Sequence, residues 1–382
     1  MGWLAGYALR RKFSTQHANI DGALTDFPLL VALDSYAPLA AALATGYDLR
    51  VTQSDGETLQ KYEREQWSGG AGSAATLRLW TKCPSLSAVA ATEQYLYWGK
   101  AGDSDGEDAE NVYDSDTEAA YTCVDDPDTS TLQDSTSNGN DGTKGAAGEP
   151  TETTGSVHYG QNFDGDDYVD LGTLGTFGTR MDTEGFSFSC RLKTSDTSAA
   201  RMGCANSSSQ TIMFVALNAN AGLGASSGRL AMYARDNDGN RCYGGANADT
   251  GFNDGSWHTI TWEMQPDADT ITIYVDGQAQ AITYTQQATP DNTGNLQYGF
   301  CLGCYNTSSG QSLYYTGDLD VVRLASAVRG AAWAKFFHHN LAEADNELTW
   351  GDLEFNPAFA AAAALPRFPV QIHRPRPLVI PY

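Results

Sequence analysis

Basic residues are scarce in this chain of 382 residues. Lysine and arginine together number 23 against 47 aspartates and glutamates, histidines number six, and the formal net charge is −24 at pH 7. A surface of that sign repels phosphate backbones and anionic headgroups, so neither nucleic acid nor a membrane is expected as a partner. Long apolar runs are missing too. No stretch approaches the ~18 apolar residues that span a bilayer, and the run 358–365 is short and followed by prolines. Residues 1–12 place their charges after their apolar residues, so no signal peptide is expected. Cysteine is sparse and odd in number: Cys83, Cys123, Cys190, Cys204, Cys242, Cys301 and Cys304. An odd count leaves a disulfide framework incomplete. Cys301 and Cys304 form one CxxC with no second pair to complete a zinc site. The expectation is free thiols packed as small apolar groups, in a chain folded in a reducing cytoplasm. Phosphate-cradling glycine loops are absent, and no nucleophilic triad is expected. His338 and His339 are adjacent on a helical stretch and point to different faces, which argues against a joint metal site.

Glycine, by contrast, occurs 39 times and tyrosine 19 times. Short runs of β-formers separated by Gly, Asn, Asp and Ser clusters predict an all-β chain. Residues 1–105 carry strand-like runs at 28–33, 48–51, 76–80 and 94–98, with a helical turn fitting 37–45. The stretch 101–112 is acid-rich. An EF-hand loop needs glycine at position 6 and glutamate at position 12. Counting from Asp103, those positions hold Asp108 and Asp114, so the block reads as a solvated linker. Residues 106–351 carry strand runs at 186–190, 211–216, 229–233, 258–262, 270–274 and 313–316. The 270–274 run alternates and ends in Val275-Asp276-Gly277, a hairpin signature. Residues 331–340 read as one helix. The remainder, 352–382, is rich in proline, which excludes a helix or a central strand. With Arg367, Phe368, Arg374, Arg376 and Tyr382 it predicts an extended, basic assembly arm resting on the body or on a neighbouring subunit.

Four motifs in the second segment stand in a telling order. Gly165-Asp166-Asp167-Tyr168-Val169-Asp170-Leu171-Gly172 is followed by Trp257-His258 and Tyr274-Val275-Asp276-Gly277. Gly317-Asp318-Leu319-Asp320-Val321-Val322-Arg323 closes the series. This order resembles the laminin-G-like, concanavalin A-like lectin/glucanase jelly-roll family. The first segment resembles a small β-sandwich domain of unknown function that precedes such domains in phage and bacterial surface proteins. Trp3, Arg11-Lys12, Asp26-Phe27-Pro28, Asp48-Leu49-Arg50, Tyr62-Glu63 and Tyr95-Leu96-Tyr97-Trp98-Gly99 carry that likeness. The resemblance implies a β-sandwich (1–105), a jelly roll (106–351) and a C-terminal arm (352–382). It implies structural roles for Asp320, Arg323 and His258. It leaves activity open, because the jelly roll hosts both sugar-cleaving enzymes and silent binding modules.

Three constellations carry possible chemistry. Jelly-roll glucanases pair carboxylates two residues apart on one strand. Asp318 and Asp320 have that spacing, but Arg323 stands where a further acid is needed. Hard oxygen ligands crowd at Asp164, Asp166 and Asp167, which suits calcium; no other cofactor is expected. Aromatic rings stack on sugar faces while amides orient hydroxyls, and Tyr233, Tyr243 and Tyr305 with Asn240 and Asn306 offer such a set. The reading that follows is a non-enzymatic virion structural or surface protein of a bacteriophage, either head decoration or a tail or fibre component. It would be made in the host cytoplasm and displayed on the virion surface. Its partners would be other capsid or tail proteins, further copies of itself as a homo-oligomer, and a host-surface glycan. The alternatives are a bacterial extracellular carbohydrate-binding adhesin module and a glycoside hydrolase acting through Asp318 and Asp320.

Overall fold

The computed structural model describes residues 2–125, 129–145, 149–175, 177–206, 211–265, 269–290, 299–307, 310–342 and 347–360. Two hydrophobic clusters organise them. The first is built by a five-stranded sheet in the order Leu348–Phe355, Leu9–Thr15, Thr92–Trp98, Arg50–Gln53, Leu59–Gln60. A three-stranded sheet accompanies it, in the order Leu24–Tyr36, Ser73–Leu86, Tyr62–Gly70. Phe13, Leu29, Val31, Leu79, Trp80 and Trp98 are fully buried between them. In Leu24–Tyr36 all five residues 27–31 are buried, so both faces of the strand are covered. Helix Gly330–Leu341 contributes to this: Phe336 and Trp333 lie 5.1 and 5.9 Å from the Phe27 ring.

The boundary expected at 351/352 falls inside a strand. Leu348–Phe355 pairs antiparallel with Leu9–Thr15 along its length and completes the first sandwich from the far end of the chain. The expected arm therefore loses its first residues to a sheet. Residues 361–382, with Arg367, Phe368, Arg374, Arg376 and Tyr382, lie outside the described residues. The acidic stretch 101–112 is not a solvated linker either. Asp103 pairs with Arg50 and Lys100 and accepts from the Tyr7 hydroxyl, Asp105 and Glu107 both pair with Arg64, and Asp108 pairs with Lys61. Through Arg50, Lys61 and Arg64, all distant in sequence, the acids strap this segment to the first sandwich.

The second cluster lies between two larger sheets. One has nine strands: Ile282–Gln286, Arg241–Ala246, Ala225–Arg235, Thr211–Ala219, Ala200–Asn206, Phe300–Leu302, Val169–Asp170, Gly142–Lys144, Thr131–Leu132. The other runs Thr151–Thr154, Tyr159–Asp164, Thr316–Ala325, Phe186–Lys193, Trp257–Gln265, Thr270–Val275, Gln278–Ala279, with Thr117–Tyr121 also paired to Thr316–Ala325. Phe188, Val215, Met232, Trp262, Phe300 and Leu324 fill the space between them. This is the all-β jelly-roll architecture expected. The predicted hairpin is present: Asp276 and Gly277 both take positive φ, 50° and 74°, as a two-residue turn requires. The run at 313–316 is not a strand; Leu313 has φ 51°, and the strand begins only at Thr316. A short hairpin, Tyr305–Thr307 and Gly310–Ser312, precedes it. All seven cysteines are buried and none is in a disulfide; the Cys301 and Cys304 sulfurs lie 2.9 Å apart. Among the described residues no helix is long and apolar enough to cross a membrane.

Candidate functional site: an aromatic and arginine face on the nine-stranded sheet

Strand alternation sends Val215, Leu217, Leu230, Met232, Ala234 and Cys242 into the jelly-roll core. Phe214, Tyr233, Arg235, Arg241 and Tyr243 therefore share the opposite, outward face. Register then places them side by side: Phe214 opposite Tyr233, Tyr233 opposite Tyr243, and Arg235 opposite Arg241. Phe214 and Tyr233 stack at 5.0 Å with 5° between their planes, and Tyr243 lies 5.5 Å from Tyr233, tilted by 45°. Tyr305, on the short hairpin, sets its edge against Phe214 at 5.7 Å. Arg201 brings its guanidinium 4.4 Å from the centre of the Phe214 ring. Cys204, Ala216, Ala219 and Ala231 form an apolar floor, with Leu223 against it. Burial pushes the Tyr233 hydroxyl above the usual phenol range and the Arg201 guanidinium below its usual range. Among the described residues no further ring lies against Tyr243, which leaves the row open at that end.

Of the expected sugar-binding set, the structure brings Tyr233, Tyr243 and Tyr305 into one row. It does not free the amides. Asn240 closes the turn between two strands: its Nδ2 donates to Asp236 Oδ2 at 2.7 Å and its backbone N–H to Oδ1 at 2.8 Å. Asn306 accepts from Gln311 Nε2 at 3.3 Å within its own hairpin. Phe214, Arg201, Arg235 and Arg241 were not foreseen. The signal was present in the alternation of 230–235 and 241–243, but its use needs the register of four strands.

The acidic trio is close-set. Carboxylate oxygens of Asp164, Asp166 and Asp167 lie within 4.8 Å of one another, and Asp167 accepts from the Asp164 backbone N–H at 2.7 Å. The Asp164 carboxyl beside it raises Asp166 above the usual carboxylate range, and burial raises Asp167. These oxygens could hold a hard cation.

The carboxylates at 318 and 320 do not face a common cleft as acid and nucleophile. Asp320 is fully buried, and one of its oxygens accepts from the Ser156 N–H, the Ser156 hydroxyl and the Val157 N–H at 2.7–3.0 Å. Asp318 accepts from Asn162 at 2.7 Å and faces Lys193. Arg323 is buried between Trp80 and Tyr113, 4.9 Å from each ring, and donates to the Tyr121 carbonyl at 2.9 Å. His258 is held between Asp276 at 2.7 Å and Asp254 at 3.1 Å. A Gly-x-Ser-x-Gly spacing does occur, at Gly224 to Gly228, but it opens the strand Ala225–Arg235, whereas a nucleophile elbow needs a strand-to-helix turn.

Residues 163–334 match the family described as the concanavalin A-like lectin/glucanases superfamily, and this part of the chain is a domain of that superfamily. No curated protein sequence matches the chain significantly. Solved structures align with part of the chain at low identity. The binding domain of botulinum neurotoxin DC, in complex with rat synaptotagmin II, aligns at TM-score 0.41 and 10% identity, over 59% of this chain and 52% of that one. The botulinum neurotoxin serotype C1 binding domain aligns at 0.40 and 9%, over 59% and 52%. Domain 4 of AbnA, a GH43 extracellular arabinanase from Geobacillus stearothermophilus, in complex with arabinotriose, aligns at 0.42 and 15%, over 59% and 98%. The alignments span about half the length of the neurotoxin chains.

Proposed function

We propose that this protein is a non-enzymatic glycan-binding protein whose contact surface is the outer face of the nine-stranded sheet. The observation that carries this is the ring row Tyr243, Tyr233, Phe214 and Tyr305 on one face, open at Tyr243. Rings held rigid by their neighbours lose little entropy on binding and offer apolar surface to the C–H face of a sugar. The buried, fully bonded Asp320 supports a non-catalytic reading of the Asp318–Asp320 pair. A glycan array probed with the full chain tests the reading. A reproducible set of bound glycans supports it, and an array without binding above background removes it.

The setting we propose is the virion surface of a bacteriophage, as a homo-oligomer among capsid or tail proteins. Seven buried cysteines outside any disulfide favour it over a secreted adhesin, because they suit folding in a reducing cytoplasm. Labelled antibody against the chain, viewed on intact particles released from a producing strain, checks this; unlabelled particles would exclude it.

A further inference from the structure

The chain has twice as many acids as bases, and most of its cations are spent on carboxylates. Arg10, Lys12, Arg50, Arg64, Arg78, Lys144, Arg180 and Arg329 all stand in ion pairs at 2.5–3.1 Å. The aromatic face departs from this. Arg235 and Arg241 flank its ring row on one side, and Arg201, level with Ala216 and Ala231, flanks it on the other; among the described residues none of the three has a carboxylate within 4 Å. Arg201 is 6% exposed, its Nη1 donates to the adjacent Ala200 carbonyl, and its Nε has no partner. The Nε atoms of Arg235 and Arg241 are likewise buried and unpartnered, and these two cations stand directly opposite each other across the strand pair. Asp236, in the turn beside them, spends both oxygens on Asn240.

A buried guanidinium without a counter-ion and a cross-strand pair of like charges both destabilise the free protein. The cross-strand repulsion is relieved if an anion docks between Arg235 and Arg241. The guanidinium fork matches carboxylate and sulfate geometry, and the ring row beside it supplies the apolar platform of a sugar. We infer that the glycan recognised here is acidic: a uronic acid or sulfated sugar whose ring lies on Tyr243 and Tyr233, and whose anionic group is clamped by Arg235 and Arg241. This rests on the glycan-binding reading and narrows it to one charge class. Local attraction works against the global charge of −24, and at 0.15 M salt the distant acids are screened beyond about 8 Å.

The test is calorimetric titration of the full chain with three tetrasaccharides at 0.15 M and 1 M NaCl: tetragalacturonate for carboxylate, a heparin-derived tetrasaccharide for sulfate, and maltotetraose as neutral control. The expected result is binding to one or both acidic probes and not to maltotetraose, weaker at 1 M salt. The double variant R235Q/R241Q should bind roughly tenfold more weakly or worse, since charge-assisted bonds are lost. R235K/R241K should recover part of the affinity, and a melting temperature no lower than that of the unaltered chain shows that the fold is intact. Binding to maltotetraose alone, or acidic binding indifferent to both double variants, overturns the acidic assignment while glycan binding stands. If a glycan array and all three probes are silent, the glycan reading itself falls.

Discussion

Asn340, on helix Gly330–Leu341, bonds both backbone groups of Leu30: its Oδ1 accepts from the Leu30 N–H at 2.8 Å, and its Nδ2 donates to the Leu30 carbonyl at 3.1 Å. A helix that follows the jelly roll thus satisfies a strand of the first sandwich. Asn340→Ala strands two buried backbone groups, and each unsatisfied group costs about 1–3 kcal/mol. The expected loss is about 2 kcal/mol or more of unfolding free energy, read as a lower urea midpoint. An unchanged midpoint would mean that the contact is not formed.

Leu348–Phe355 is the edge strand that completes the sheet of Leu9–Thr15. A chain ending at residue 347 should lose the cooperative melting of the first sandwich. A chain ending at residue 360 keeps this strand and should melt as the full chain does. Light scattering on the 360 version also tests the arm: the full chain is expected to be a defined oligomer that dissociates on this truncation. A monomer in both cases would remove the arm's role.

Glu263 is 2% exposed, and burial pushes its carboxyl up to about 7 although the Gly330 N–H donates to it. Its folded value lies above its unfolded one, so the folded state holds the extra proton. That stability is fully present below about pH 4.5 and is lost as pH rises through 7, at a slope of up to about 1.4 kcal/mol per pH unit. Glu263→Gln keeps an acceptor and removes the titration. The difference in unfolding free energy between variant and wild type should grow in the variant's favour from pH 4.5 to 8. A difference independent of pH would contradict the shift.

Asp164, Asp166 and Asp167 crowd their oxygens, and Asp166 is raised by its neighbour. If the trio takes calcium, millimolar calcium should raise the melting temperature by a few degrees, as binding to the native state alone requires. Asp166→Asn should abolish that rise. An equal rise in both proteins would place the ion elsewhere, and no rise would leave the trio a solvated turn.

The sequence was most readable where structure is local. The hairpin at Val275 to Gly277 needs only alternation and two positive-φ positions, and the helix at 331–340 needs only its own periodicity. Leu348–Phe355 was hidden because its partner is the first long strand of the chain. The acid block at 101–112 looked solvated because its cations, Arg50, Lys61 and Arg64, lie far upstream. At the candidate site the tyrosines were visible as residue types, but their meeting with Phe214 and with arginines that lack an ion pair depends on the register of four strands. Asn240 shows why residue type alone does not fix a role: an asparagine in a turn serves the backbone as readily as a ligand, and here it bonds Asp236.

The most direct measurement is a glycan array run in parallel on the full chain and on the double variant Tyr233→Ala/Tyr243→Ala, both first shown to melt cooperatively. The account predicts a defined set of bound glycans for the full chain, with signal at least tenfold lower for the variant, because the exposed end of the ring row is gone. Identical binding patterns for the two proteins would contradict it.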